Sequence, residues 1–246
     1  MQTQTERPQK PKITIDEVGA PVNDHPQIAK TRLFCQFQAF GNCQDPQAVK
    51  AALEASKISS VLYLDVNDPY GIGLATFAEN PETFTTTVRD LFNTSPFTNL
   101  SLKPEFTMFG RTYASGREPN LEDWLLKKPL RSALNPDFPW AVWYPLRRKP
   151  EFESLPREEQ GKIMMEHSLI GRAYAEEGFA QDIRLACHGL DKNDNDFVIG
   201  ITSPQLHILS KLVQNMRKTQ QTSKYLTSLG PFFVGKVSYQ SPFEIH

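Results

Sequence analysis

The chain has 246 residues, a formal net charge of −1 and 39% hydrophobic residues, long enough for one large domain or two small ones around a substantial core. Its 27 basic and 28 acidic residues exclude the strongly basic surface that nucleic acid or an anionic membrane would call for. No apolar run approaches the roughly 18–20 residues of a spanning helix, and the N-terminus lacks the apolar stretch of a secretory signal, so a cytoplasmic protein is expected. Cys35, Cys43 and Cys187 show no CxxC spacing and imply neither a disulfide framework nor a structural zinc site.

In chain order, residues 1–28 are polar and proline-bearing, and a flexible N-terminal arm is expected. A first unit follows at 29–113. A strand at 32–40 leads to a helix that opens at Asp45-Pro46 and runs to about Ser56. Strands at 61–66 and 71–77 flank the turn Asn67-Asp68-Pro69-Tyr70. Asn80-Pro81 opens a second helix to about Phe92, and a strand at 107–113 completes the unit. The connection at 114–139 is rich in Pro, Lys and Asp, with a short helix expected around Trp124, Leu125 and Leu126. A link of this length is uncommon unless it is functional, as a lid or an oligomer contact.

The second unit, 140–246, has a strand at 140–146 and a long helix at 157–174. Strands at 182–188 and 197–201 flank the turn at 191–195. Ser203-Pro204 opens a helix to about Arg217, and a strand at 232–239 closes the unit. Both units read strand–helix–strand–strand–helix–strand, with proline at matching helix starts, where it suits the first turn. Pro81 and Pro204 stand half the chain apart. The fold class is therefore α+β, a tandem duplication of ferredoxin-like βαββαβ units whose sheets meet.

The long helix carries the most informative side chain. Counted by turns, Ile163, His167, Ile170 and Tyr174 share one apolar stripe, while Glu159, Lys162, Glu166 and Arg172 fall elsewhere. A histidine aimed at an apolar interior must be hydrogen-bonded, bound to a metal, or costly. A satisfied core histidine and a metal ligand both stand open at this point. His25, His188, His207 and His246 suit water. Gly71-Ile-Gly73 lacks the third glycine and helix start of a dinucleotide site. The acidic turn at 191–196 lacks the glycine and terminal glutamate of a calcium loop, and a β-turn is expected there.

Three segments of the second unit now align: Trp-Ala-Val-Trp-Tyr-Pro-Leu-Arg-Arg at 140–148, Met-Glu-His-Ser-Leu-Ile-Gly-Arg-Ala-Tyr at 165–174, and Arg-Leu-Ala-Cys-His-Gly-Leu-Asp at 184–191. With the ending Gly-Pro-Phe-Phe-Val-Gly at 230–235, the chain resembles the chlorite dismutase family of haem proteins, which includes the coproheme decarboxylases. The resemblance is strong over the second half and architectural over the first. It implies a dimeric α+β barrel type of fold with haem in the C-terminal unit, and a homo-oligomer, commonly a pentamer.

By that resemblance His167 is the axial ligand to haem iron, a common role for imidazole, and Arg148 faces a propionate; a solvated Arg147-Arg148-Lys149 run is the other reading of Arg148. Tyr144 occupies the position of the tyrosine that peroxide-driven decarboxylases oxidise beside a propionate. A strand-end aromatic with its hydroxyl in water is the other reading of Tyr144. Arg184 matches the arginine that holds the anion in chlorite-degrading members; it also reads as a strand arginine paired to Asp182 or Asp191. Thr222 is a propionate contact or a helix-end residue, and Arg111 and Tyr113 are further propionate candidates. Where relatives place an acid near the ligand histidine, Thr219, Gln220 and Gln221 offer only neutral acceptors.

The resemblance thus implies a haem-dependent oxidoreductase binding haem b or coproheme, with a porphyrin and a small oxidant, peroxide or chlorite, as partners. Coproheme decarboxylation is the first expectation. Chlorite breakdown to chloride and dioxygen, or a non-enzymatic haem-binding or sensing protein, are the alternatives.

Overall fold

The computed structural model describes residue 10 and residues 13–243. A short antiparallel pair, β1 (Glu17–Val18) and β2 (Ile28–Ala29), comes first. The first half continues with β3 (Phe34–Gly41), α1 (Pro46–Ser56), β4 (Ser60–Asp65), β5 (Ile72–Ala78), α2 (Glu82–Thr85), α3 (Thr87–Phe92) and β6 (Ser101–Arg111). After the connector, which carries α4 (Lys128–Ala133), come β7 (Trp140–Arg148), α5 (Pro150–Glu153) and α6 (Arg157–Glu176). The chain ends with β8 (Gln181–Ala186), β9 (Phe197–Ser203), α7 (Leu206–Met216), α8 (Gln220–Tyr225), β10 (Leu226–Leu229) and β11 (Phe233–Gln240).

The strands do not form two sheets that merely meet. They close one antiparallel ring in the order β7–β11–β4–β5–β3–β6–β8–β9, and β9 pairs back onto β7. Closure removes the exposed edges that an open sheet would have to protect. β10 lies along the same edge of β7 as β11, facing Leu146 to Arg148 while β11 faces Trp140 to Trp143. The two junctions between the halves are unequal. β11 and β4 share a ladder from Gly235 opposite Asp65 to Gln240 opposite Val61, whereas β6 and β8 meet through the single pair Arg111 and Ala186.

Side-chain alternation fills the barrel and clothes it. On β7, Ala141 and Trp143 point inward with Phe37, Tyr63 and Phe233, while Val142, Tyr144 and Leu146 point outward toward the helices. Phe37 lies at the centre, its ring 5.2 Å from Trp143 and 5.0 Å from Phe233. Trp143 is opposite Gly200, where a Cβ would stand 2.7 Å from the indole; only glycine admits the ring. Outside, Val49 and Leu53 of α1 pack on Leu62 and Leu74. The α1 start follows from sequence: Pro46 sits in its first turn, and the Asp45 carboxylate accepts from the amides of Gln47 and Ala48 at 3.0 and 3.1 Å.

Three differences from the sequence reading have physical causes. The helix expected from Asn80 to Phe92 is broken at Thr86, where Thr85 and Thr86 both donate their hydroxyls to the Glu82 carbonyl, at 3.0 and 2.9 Å. β6 starts at Ser101 rather than near Thr107. Lys103 is neutralised there by Asp65 and Asp68 at 3.1 and 2.7 Å, and Pro104 falls in a register shift where its missing N–H is tolerated. The arm expected at 1–28 is corrected over its second half: Glu17 binds Arg32 and Arg111 at 3.1 and 2.7 Å, and Gln27 donates to the Glu118 carbonyl at 3.0 Å. Residues 1–9, 11 and 12 of that arm lie outside the described residues, as does His246.

The connector is built rather than loose. A wide helical turn (Asp123–Lys127) runs into α4, and Trp124 donates its indole N–H to the Tyr113 carbonyl at 2.9 Å. Among the described residues, no helix is long and apolar enough to cross a membrane.

Candidate cofactor site

The outward face of β7, β8 and β9 is covered by α6 and α7, and between them lies an open-mouthed cavity with about 80 Å³ of internal space. His167, Tyr144, Arg148, Arg184 and Tyr113 all line it, with Met164, Met216, Gln181 and Gln221.

His167 projects from α6 and is half-buried. Its Nδ1 lies 3.3 Å from the Thr219 hydroxyl, which donates its own hydrogen to the Met216 carbonyl at 2.8 Å. A hydroxyl has one hydrogen to give, so toward the imidazole Thr219 is an acceptor. This assigns the proton of the neutral ring to Nδ1 and leaves Nε2 a bare lone pair. Burial, then the charges of Arg184 and Arg148, push the His167 pKa down to about 4. The ring is therefore neutral at ordinary pH.

Local sequence explains why Thr219 is placed there. α7 ends at Met216, and Thr219 is the N-cap of α8, its hydroxyl accepting from the Thr222 amide at 3.5 Å. Glu166, the neighbour of His167, accepts from the Gln220 amide at 3.0 Å. Two consecutive residues of α6 thus grip the α7–α8 turn.

Tyr144, Leu146 and Arg148 share the outward face of β7. Tyr144 is buried and stacked on Phe232, ring centres 4.6 Å apart, and burial raises its hydroxyl pKa far above the ordinary value. It remains a phenol at any working pH. Arg148 is held between Phe152 and Phe197, 4.7 and 4.6 Å from the ring centres, and its backbone amide donates to Asp196 at 2.7 Å. Its Nε is buried without a hydrogen-bond partner, a cost that an incoming carboxylate would relieve. Arg147 turns the other way and donates to the carbonyls of Asn193 and Asp194, both at 2.6 Å.

Arg184 fits both of its readings at once. It lines the cavity, and its Nε is ion-paired with Asp182. Burial opposes the charge on Asp182, but Arg184 and Lys128 outweigh it and hold the carboxyl well below its ordinary range. Thr222 does not line this cavity but a second, smaller pocket that shares Tyr144, His167 and Gln221 with it, and its hydroxyl oxygen is 3.3 Å from that of Thr219.

Other candidates are not brought together. Tyr113 lines the cavity, its ring 5.5 Å from Phe197, but Arg111 is held by Glu17 and is not among the lining residues. His188 is exposed, 3.4 Å from Asp196. In the turn after β8, Asp191 accepts from the Asn193 amide at 2.7 Å and the Asn195 side chain at 3.1 Å. Cys187 is buried in the barrel interior, on the face opposite Arg184. Among the described residues no group of three or more His, Cys, Asp or Glu is arranged to hold a bare metal ion.

Sequence reasoning missed the anchoring of Asp182 by Lys128, at 2.9 Å, and it missed Gln181, whose side-chain oxygen is buried and unpartnered, as is that of Gln221, read only as a neutral acceptor. The two-residue spacing of Asp182 and Arg184 on one strand signals their own pairing, but the Lys128 anchor, 54 residues away, has no local signal. The glutamines carried none.

The chlorite dismutase family profile matches residues 72–238. A coproheme decarboxylase from Oceanobacillus iheyensis is 31% identical over 146 residues, which cover 53% of this chain and 56% of that protein, so the match spans little more than half of the relative's length. Among solved structures, a haem-binding protein from Thermus thermophilus aligns with a TM-score of 0.66 at 18% identity, over 84% of this chain and 91% of the other. A chlorite dismutase from Candidatus Nitrospira defluvii in complex with imidazole aligns with a TM-score of 0.65 at 17% identity, over 86% and 93%. At these identities the two structures speak to the fold alone. With well over half of its length matched by the family profile, the chain belongs to the chlorite dismutase family.

Proposed function

We propose that the cavity takes an iron porphyrin that His167 would hold through Nε2, and that the protein is a haem-dependent oxidoreductase acting as a peroxide-driven coproheme decarboxylase. The observation that carries this reading is the His167–Thr219 contact, which leaves a neutral imidazole with a bare nitrogen on a residue that lines the cavity. The donor set fits the group: one imidazole, an unpartnered buried Arg148 Nε suited to a propionate, and apolar walls from Leu146, Ile199, Ile201 and Leu212.

When bound, the iron porphyrin supplies the redox centre at which peroxide is reduced. Tyr144 would give up one electron and one proton in that reaction, and its stacking on Phe232, which fixes the ring, supports this role. Arg148 and Thr222 orient propionates. Thr219, a neutral acceptor, holds the His167 ring without the charge of a carboxylate. The coproheme decarboxylase relative supports this reaction. A second reading, chlorite breakdown, is favoured by the place of Arg184 in the cavity; its ion pair with Asp182 speaks against it. A homo-oligomeric ring, a pentamer as the family resemblance implies, and a cytoplasmic setting belong to the same proposal.

The test is an ultraviolet–visible titration of apoprotein with coproheme and with haem b, before and after peroxide. Tight coproheme binding followed by conversion to haem b is expected. Haem b binding without conversion of coproheme would replace the decarboxylase by the chlorite or sensing reading, and no Soret shift with either would end the haem reading.

A further inference from the structure

Asp182 and Arg184 alternate on the outward face of β8, and the carboxylate between them and the connector is shared. One oxygen accepts from Lys128 Nζ at 2.9 Å; the other takes Arg184 Nε. Lys128 is itself fixed, its ammonium 4.1 Å from the centre of the Trp124 ring, and Trp124 is tied to the Tyr113 carbonyl. The long connector therefore ends against the wall of the cavity. A guanidinium clasps an oxyanion best through a fork of two N–H groups. With Nε committed to Asp182, the side-on fork is closed to a free anion. What remains is the terminal end, where Nη2 stands 3.6 Å from the place of a Gly171 Cβ, one helical turn beyond His167. The carboxylate also offsets the positive field that would draw an anion in.

Resting on the haem reading above, we propose that Asp182 is a specificity-determining residue: anchored by Lys128 of the connector, it occupies Arg184 as a built-in anion and biases the cavity toward a neutral oxidant such as hydrogen peroxide over a small anionic one such as chlorite. Asp182 touches no reactant and acts through Arg184.

The test loads the full chain with ferric haem b and titrates fluoride, a small anion, and imidazole, a neutral ligand, by absorbance. Asp182→Asn is expected to tighten fluoride roughly tenfold or more, the scale of a charge-assisted contact, and to leave imidazole within about twofold. Unchanged fluoride affinity, or equal gains for both ligands, overturns the proposal. Lys128→Met, which leaves the carboxylate to Arg184 alone, should weaken fluoride; it decides the matter if Asp182→Asn does not fold, and unchanged or tighter fluoride binding again overturns it. If the chain takes up no haem, the proposed function fails while this inference is still decided in apoprotein. Quenching of tryptophan emission by iodide should then rise in Asp182→Asn with acrylamide quenching unchanged, since Trp124 lies 5.9 Å from the Arg184 guanidinium. Equal iodide quenching in both proteins overturns the inference.

Discussion

The imidazole of His167 and the hydroxyl of Thr219 lie 3.3 Å apart across 52 residues of chain, and the same hydroxyl caps α8. One oxygen thus sets the tautomer of the proposed ligand and starts the helix beside it. Thr219→Val keeps the shape and removes both roles. It should weaken haem binding roughly 10–100-fold, as losing a partner of a ligand histidine does, and cost about 1 kcal/mol of stability from the lost cap. Haem titration and thermal unfolding of the apoprotein check the two effects. Unchanged affinity with reduced stability would leave Thr219 a cap alone.

The depressed pKa of His167 gives a pH dependence with a definite sign. Unfolded, the ring titrates near its ordinary 6.5; folded, near 4. Between these values the unfolded chain binds more protons, so stability is fully present above about 6.5 and lost as pH falls toward 4, by up to roughly 3 kcal/mol at about 1.4 kcal/mol per pH unit. In His167→Gln the acid limb of a plot of apoprotein stability against pH should flatten. An unchanged limb would place the acid sensitivity elsewhere.

Tyr144→Phe preserves the ring stacked on Phe232 and removes the ionisable hydrogen. Coproheme binding should stay within a few-fold, on the scale of one lost hydrogen bond, while conversion after peroxide, followed by porphyrin mass, should be lost. Full conversion by the variant would remove Tyr144 from the reaction.

Arg148→Met retains an unbranched stem between Phe152 and Phe197 and deletes the buried Nε that has no partner. Apoprotein stability should hold or rise, and coproheme affinity should fall roughly tenfold or more with the charge-assisted contact. A variant that binds coproheme as tightly as the parent would exclude Arg148 as a propionate contact.

Inside the barrel, Gly200→Ala would set a methyl 2.7–2.9 Å from three atoms of the Trp143 ring. Overpacking against so rigid a group should cost about 1–3 kcal/mol, visible as a lower Tm.

Much of this was legible in single residues. The even positions of β7, from Val142 through Tyr144 and Leu146 to Arg148, announce one face by their period of two, and His167 announces the helix stripe that covers it. Both signals are local and survive without a partner. Thr219 could be named only as a neutral acceptor, because whether its hydroxyl gives or receives depends on where the α7–α8 turn brings Met216. Arg184 looked like an anion holder or a paired strand residue, and choosing needed Lys128, 56 positions back on a connector whose path no period encodes. Strand alternation likewise shows which residues face a core, but not that β9 returns to β7 and closes the ring.

The ring is not closed equally all round. β11 and β4 are zipped along a full ladder, while β6 and β8 share one pair, at Arg111 and Ala186. Local opening is cheapest where the fewest ladder bonds must break. In native-state hydrogen exchange, the facing amides of β6 and β8 should lose protection before those of β4 and β11. Arg184 lies two residues from Ala186, so the barrel's breathing is concentrated on the wall that carries the guanidinium.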